Sequence, residues 1–300
     1  MRVRNWIANV QRKCYGMFPH CADPNCGFGR SVGRQLRWWA AKLRLHDSFY
    51  CSPQCFEKAA RQRFVEICAS PAPERLVQHR IPLGLLMLSR GQLSNGQLRQ
   101  ALEAQRANGS QRIGEWVQKL GFASEQQVTN ALGVQWACPV LHAKVNPFHP
   151  AVRLVPRRIL ERYRMLPIQF VESTRTFYVA FSEDLDYSIL YALEQMLDCR
   201  TQPSFLPASV LAEALEQIGR DREQADLLFE GWRYAPEMAR ITCTEVLKLG
   251  AQSVRIHPCG CYIWARLCSG EQAVNLIFRR PAALPQEPAD AADSYARITG

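Results

Sequence analysis

Apolar and polar positions change their spacing several times along the chain, and each change predicts an element. After Ser52-Pro53, apolar residues recur at helical intervals through Phe56, Ala59, Ala60 and Phe64. Ser52 suits the N-cap and Pro53 the first helical position, which places Cys55 in the first turn. Residues 82–135 show helical patterning in alternating short and long pieces, each short piece ending at a glycine, Gly91 or Gly121. Further on, Thr176-Phe177-Tyr178-Val179-Ala180-Phe181 predicts a strand. A helix is predicted over 236–249, followed by strands at Ser253–His257, Tyr262–Leu267 and Ala273–Phe278. From Pro281 the proline- and alanine-rich stretch loses any such pattern, so 281–300 is predicted to be a disordered tail.

These elements divide the chain into 1–70, 80–220 and 225–280, with Ala69-Ser70-Pro71-Ala72-Pro73 as a linker after the first. The predicted fold class is α/β (α+β): a zinc-knuckle N-terminal unit, a helical repeat pair plus an α/β lobe, and a small α+β C-terminal remnant. Hydrophobic residues make up 47% of the 300 and charged residues 21%, a balance that folds. No run of about 18 apolar residues occurs, which excludes an ordinary membrane-spanning helix. The basic N-terminus lacks the apolar stretch of a secretory signal, and a cytoplasmic location is the expectation.

The net charge of +10 is concentrated at one end, because residues 1–64 hold twelve Lys/Arg against Asp23, Asp47 and Glu57. Five of the twelve cysteines fall in the same segment. Cys21-x4-Cys26 and Cys51-x3-Cys55 are two close pairs, and such pairs can set four thiolates at the corners of a tetrahedron, the geometry zinc accepts. Cys21, Cys26, Cys51 and Cys55 are therefore the candidate ligands of a structural zinc, with Cys14 or His20 as substitutes. The alternative is a set of buried free thiols. One pair on a knuckle and another at a helix start resembles treble-clef and zinc-ribbon sites. The basic stretch from Arg30 to Arg44, with Trp38 and Trp39, has two readings. It either grips nucleic-acid phosphates with aromatic stacking or, as favoured here, forms an amphipathic helix covering the zinc unit. Cys68, Cys138, Cys199, Cys243, Cys259, Cys261 and Cys268 are expected to carry no chemistry.

The most informative signal is internal. Residues 82–105 (PLGLLMLSRGQLSNGQLRQALEAQ) and 112–135 (RIGEWVQKLGFASEQQVTNALGVQ) align without gaps with seven of 24 positions identical. Each copy predicts a short helix closed by glycine and a longer helix opened by a capping box, Ser94-x-x-Gln97 or Ser124-x-x-Gln127. Leu98, Ala101, Leu102 and Gln105, and likewise Val128, Ala131, Leu132 and Gln135, share one helical face in each copy. Two similar hairpins side by side form a receptor suited to a two-fold symmetric ligand.

The doubled pattern of Arg-Leu-Gly, apolar pair, Gly, apolar pair and Leu-x3-Leu-x2-Gln resembles the N-terminal domain of secretion and pilus-assembly ATPases, those of type II secretion and type IV pili. The stretches Leu154-Val155-Pro156, Arg162-Tyr163-Arg164-Met165-Leu166-Pro167 and Tyr178-Val179-Ala180-Phe181-Ser182-Glu183 resemble that domain's second, α/β lobe. Some members of the family bind cyclic di-GMP through the doubled motif. The resemblance implies that each motif's Arg meets a guanine, the following backbone approaches phosphate, and the leucines pack against the purines. On this chain it implies Arg112, Ile113, Gly114, Val128, Leu132 and Gln135 from the second copy. The first copy would supply Leu83, Gly84, Leu98, Leu102 and Gln105, and Glu183 is the nearest match for an acidic residue of the second lobe. Two departures stand out: Pro82 occupies the first copy's Arg position, with Arg80 two residues away, and the spacer between copies is six residues.

Residues 237–258 weakly resemble the start of the ATPase portion, with Ser253 and His257 at the family's acidic positions. The sequence contains no G-x-x-x-x-G-K-[ST] and its six histidines are dispersed, so no enzymatic activity is expected. The expected function is a non-catalytic, cyclic-dinucleotide-responsive adaptor or regulator linked to type II secretion or type IV pilus machinery. The alternatives are a protein–protein docking module without ligand binding and a nucleic-acid-binding regulator acting through the basic zinc unit.

Overall fold

The computed structural model describes residues 21–26, 43–70, 80–109, 111–142, 145–221 and 226–280. Cys14, His20, the basic stretch up to residue 42 with Trp38 and Trp39, the linker prolines and the tail from 281 lie outside the described residues. In chain order the first elements are β1 (Arg44–Leu45), β2 (Ser48–Phe49) and α1 (Pro53–Ala69). Four helices follow: α2 (Leu83–Ser89), α3 (Asn95–Asn108), α4 (Ile113–Lys119) and α5 (Glu125–Trp136). Next come α6 (Arg157–Tyr163), β3 (Met165–Val171), β4 (Thr176–Phe181), α7 (Tyr187–Leu197), β5 (Arg200–Phe205) and α8 (Ala208–Asp221). The series ends with β6 (Asp226–Phe229), α9 (Ala235–Leu249), β7 (Ser253–Cys259), β8 (Tyr262–Ser269) and β9 (Gln272–Arg279).

The chain forms two compact units, one of residues 1–73 with 225–300 and the other of 74–224. The first unit joins segments that the sequence reading treats as separate domains. Its six-stranded sheet runs β2-β1-β7-β8-β9-β6, so β1 from the N-terminal segment pairs in parallel with β7 (Arg44 opposite Ser253, Leu45 opposite Val254). The physical reason is burial. Helix α1 presents Phe56, Ala60, Phe64 and Ile67 on one face, and a segment of this size has too little core of its own to cover them. The cover comes from α9, through Met238, Ala239 and Val246, and from the sheet, through Val254, Ile256, Ile263, Ala265, Leu276 and Phe278. Phe64 meets Phe278 edge-on at 5.6 Å, and Phe229 of β6 stacks on Phe278 at 4.8 Å. Arg280 then reaches back to donate to the carbonyls of Ile67 and Ser70, placing a cation at the last turn of α1.

The other side of this sheet carries a closed polar chain. Trp264 Nε1 and Arg266 both donate to Asn275 Oδ1, at 3.0 and 3.1 Å, and the Asn275 amide donates to Asp226 Oδ1 at 2.8 Å. A buried Asn is tolerated here because its carbonyl and amide are both engaged. Cys259-Gly260-Cys261 turns the chain from β7 to β8, with Cys259 opposite Tyr262 and Gly260 at φ 57°.

The second unit builds two helical hairpins and an α/β lobe. Both capping boxes form: Ser94 and Ser124 each accept from the N–H of Gln97 or Gln127, and each glutamine side chain accepts the serine N–H at 2.8 Å. Gly91 and Gly121 take φ 69° and 70°, the left-handed position that lets each short helix end. In the lobe β3 pairs antiparallel with β4, and β4 pairs in parallel with β5 through the α7 crossover. Glu125, at the start of α5, accepts the N–H and hydroxyl of Ser209 at the start of α8 and thereby ties hairpin to lobe.

Phe64 holds the two ends of the first unit together, and Phe64→Ala should cost about 3–5 kcal/mol. Chemical denaturation followed by tryptophan fluorescence tests this. A loss below about 1 kcal/mol would show that α1 does not depend on the C-terminal sheet.

Candidate functional site

The cysteine cluster is assembled by three local devices. Asp23-Pro24-Asn25-Cys26 makes a tight turn, with Cys26 N–H donating to the Asp23 carbonyl at 3.1 Å and Asn25 N–H to Asp23 Oδ1 at 3.0 Å. Ala22 N–H donates to the Phe49 carbonyl at 2.8 Å, which binds this knuckle to the β1–β2 hairpin. Ser52 then caps α1 by accepting the N–H of Cys55 at 3.2 Å, placing Cys55 in the first helical turn.

The Sγ atoms of Cys21, Cys26, Cys51 and Cys55 all lie within 4.8 Å of one another. Cys26 and Cys51 are 3.2 Å apart and Cys51 and Cys55 3.9 Å apart, while the Cys51 N–H points at Cys21 Sγ at 3.5 Å. A tetrahedral zinc with bonds of about 2.3 Å needs sulfurs about 3.8 Å apart, so the cluster fits a metal ion with little rearrangement. Burial pushes the Cys55 thiol up to about 11 and raises Cys51 as well. A cation among these sulfurs must displace their protons, so its uptake strengthens as pH rises. Asp23 beside the cluster is held below the usual carboxylate range, chiefly by the Asn25 N–H. Four protein sulfurs close the shell and leave no position for a substrate.

In the second unit the two repeat copies exchange contacts reciprocally. A Cβ on Gly84 would stand 2.6 Å from Leu98 Cδ1 and 3.7 Å from Ile113 of the other copy. A Cβ on Gly114 would stand 3.0 Å from Val128 and 3.3 Å from Leu83 of the other copy. Gln105 of the first copy donates to the Gln111 carbonyl at 2.8 Å, just ahead of the second copy. Gln135 of the second donates to the Ile81 carbonyl at 2.7 Å, just ahead of the first. Every member of these pairs is thirty residues from its counterpart, so the two hairpins are related by a quasi-two-fold exchange.

The structure thus groups Gly84 with Leu98 and Ile113, and Gly114 with Val128 and Leu83. Gln105 and Gln135 each commit a side-chain N–H to backbone. Leu132 is buried, whereas Leu102, its equivalent, is 37% exposed. Arg112, at the N-cap of α4 with its side chain 47% exposed, lies 3.7 Å from Glu183 and 3.0 Å from Asp184. Glu183 also pairs with Arg164 at 2.8 Å, so one carboxylate bridges two guanidinium groups in the loop after β4. The sequence reading named Arg112 and Glu183, and the structure sets the two side chains 3.7 Å apart. It did not select Asp184, which directly follows one of the stretches on which the family resemblance rests, or Arg164, which lies within another.

Pro82 holds the N-cap of α2 and makes no side-chain cap bond. Two residues earlier, the Arg80 guanidinium sits 3.2 Å from the Trp136 ring centroid and donates to the Tyr187 hydroxyl at 3.1 Å. Trp136 and Tyr187 were not signalled by the motif, because they fall outside its 24 positions.

Comparison with known proteins locates the second unit. An 87-residue stretch is 33% identical to the type IV pilus assembly ATPase PilB of Myxococcus xanthus (strain DK1622). That match covers 29% of this chain and 15% of PilB, so the chain spans a small part of the length of that relative. A solved structure of MshE with cdg is 33% identical and overlaps 46% of this chain and 99% of its own, at a TM-score of 0.40. The N-terminal domain of XpsE overlaps 49% of this chain and 96% of its own at 15% identity and a TM-score of 0.36. Among the described residues no helix is long and apolar enough to cross a membrane. Residues 137–225, the α/β lobe with its approach from α5, match the family model of the MshEN domain, and this part of the chain is MshEN-like.

Proposed function

We propose that this chain is a non-catalytic regulator or adaptor that responds to cyclic di-GMP and serves type II secretion or type IV pilus machinery. The observation that carries the reading is the quasi-two-fold frame of the doubled motif, which sets Arg112 beside Glu183 of an MshEN lobe. Leu83, Gly84, Leu98, Leu102 and Gln105 would form one half of the receptor. Arg112, Ile113, Gly114, Val128, Leu132 and Gln135 would form the other, with Glu183 facing the base held by Arg112. The ligand named for the MshE structure and the pilus role of PilB both support this direction. A second reading has a specific basis: Pro82 removes one guanidinium and Asp184 already engages the other, which suits a docking module that has lost its ligand.

Calorimetric titration of the 300-residue chain with cyclic di-GMP separates the two. Arg112→Ala should weaken binding about tenfold or more, since a charged hydrogen bond is worth about 1.5–3 kcal/mol. Pro82→Arg should strengthen it. If neither the wild type nor Pro82→Arg binds at millimolar ligand, the docking module stands instead.

The cysteine cluster serves as a structural zinc site in this reading, with Cys21, Cys26, Cys51 and Cys55 as ligands. Purified protein should carry about one zinc per chain. Cys51→Ser should lose metal and destabilise the first unit, while Cys199→Ser should do neither. Metal-free protein from chelator-free preparation would sink the assignment.

A further inference from the structure

Resting on the receptor reading above, we propose that the two halves of the site demand different bases: guanine at the Arg112 half, and either purine at the half that begins with Pro82. The scaffold beneath the site is symmetric, through the paired glycine contacts and the paired glutamine bonds. Among the differences between the copies, the one that bears on base reading lies at the start of each copy, Pro82 against Arg112.

At the second copy, Arg112 stands 3.0 Å from Asp184 and 3.7 Å from Glu183, and Glu183 is shared with Arg164. This sets a donor array beside an acceptor array. Guanine satisfies both, because O6 and N7 accept along one edge while its N2 amino group donates from another. Adenine presents its N6 amino group where guanine has O6, so a donor would face the guanidinium. The Arg112 half therefore reads the base.

At the first copy the equivalent residue is Pro82, whose side chain has nothing to donate. Two residues earlier, the Arg80 guanidinium lies 3.2 Å from the Trp136 ring centroid and donates to Tyr187. Trp136 and Tyr187 stand 6.2 Å apart between centroids, and the Tyr187 side is partly open to solvent. Aromatic rings with a stacked guanidinium hold a base by its plane, which every base offers, and leave its edge unread. A hybrid cyclic GMP–AMP can place its guanine at Arg112 and its adenine at the stacking half. Cyclic di-AMP must put an adenine against Arg112.

The test is titration calorimetry of the full chain with cyclic di-GMP, cyclic GMP–AMP and cyclic di-AMP. The hybrid should bind within about threefold of cyclic di-GMP, and cyclic di-AMP at least about tenfold more weakly, the cost of one misread base edge. Pro82→Arg should open a gap of about tenfold between cyclic di-GMP and the hybrid, by giving the second half an edge reader. Wild-type protein that binds the hybrid as weakly as cyclic di-AMP, or treats all three alike, overturns the inference and leaves the receptor reading standing. Failure of all three ligands with both proteins removes the receptor reading and this inference together.

Discussion

Two positions without a side chain set how closely the helical hairpins cross. Gly84 and Gly114 each lie where a Cβ would press on a leucine or valine of its own copy, at 2.6 or 3.0 Å, with an apolar side chain of the other copy just beyond. The nearer contact lies within each hairpin, α2 against α3 and α4 against α5. The approach of Leu83 to 3.3 Å from the Gly114 position leaves no room for a side chain there between α2 and α4. At this separation Gln105 and Gln135 reach the backbone ahead of the opposite copy, and the exchange becomes reciprocal. Arg112, at the N-cap of α4 two residues from Gly114, then lies beside the loop after β4. The asymmetry proposed for the two half-sites would be expressed against this background. A symmetric frame makes any difference between Pro82 and Arg112 visible as a difference between half-sites.

Much of this was legible in the sequence, and for local reasons. The capping boxes, the left-handed glycines and the Ser52-Pro53 start of α1 are encoded within four or five residues, and all of them form. The strand at Thr176–Phe181 has the predicted ends; the strands from Ser253 and Tyr262 begin as predicted and run two residues further, and the last extends one residue at each end. The four cysteines converge because each pair lies on its own short turn and the β1–β2 hairpin brings the turns together. The family resemblance supplied Glu183, which no spacing argument would have selected.

What escaped was non-local. Strands of two residues such as β1 carry no period, so its pairing with β7 across two hundred residues left no trace in the pattern. The buried chain Trp264–Asn275–Asp226 was hidden for the same reason: each member alternates with apolar neighbours and looks like an ordinary outward position. Arg80 on Trp136 joins a residue two positions before one copy to the residue after the other, a contact that only the crossing of the hairpins creates.

The pairing of β1 with β7 also has a consequence for the order of events during synthesis. Residues 43–70 leave the ribosome about 180 residues before β7 and β8 exist, an interval of about 10–40 s at ordinary elongation rates. Through that time the apolar face of α1, with Phe56 and Phe64, has no partner sheet. The cysteine cluster needs nothing made after residue 55, so it can close at once and hold the hairpin and the helix start in their final arrangement. The sheet edge left by β1 is only two residues long, too short a template for another chain to pair with while it waits.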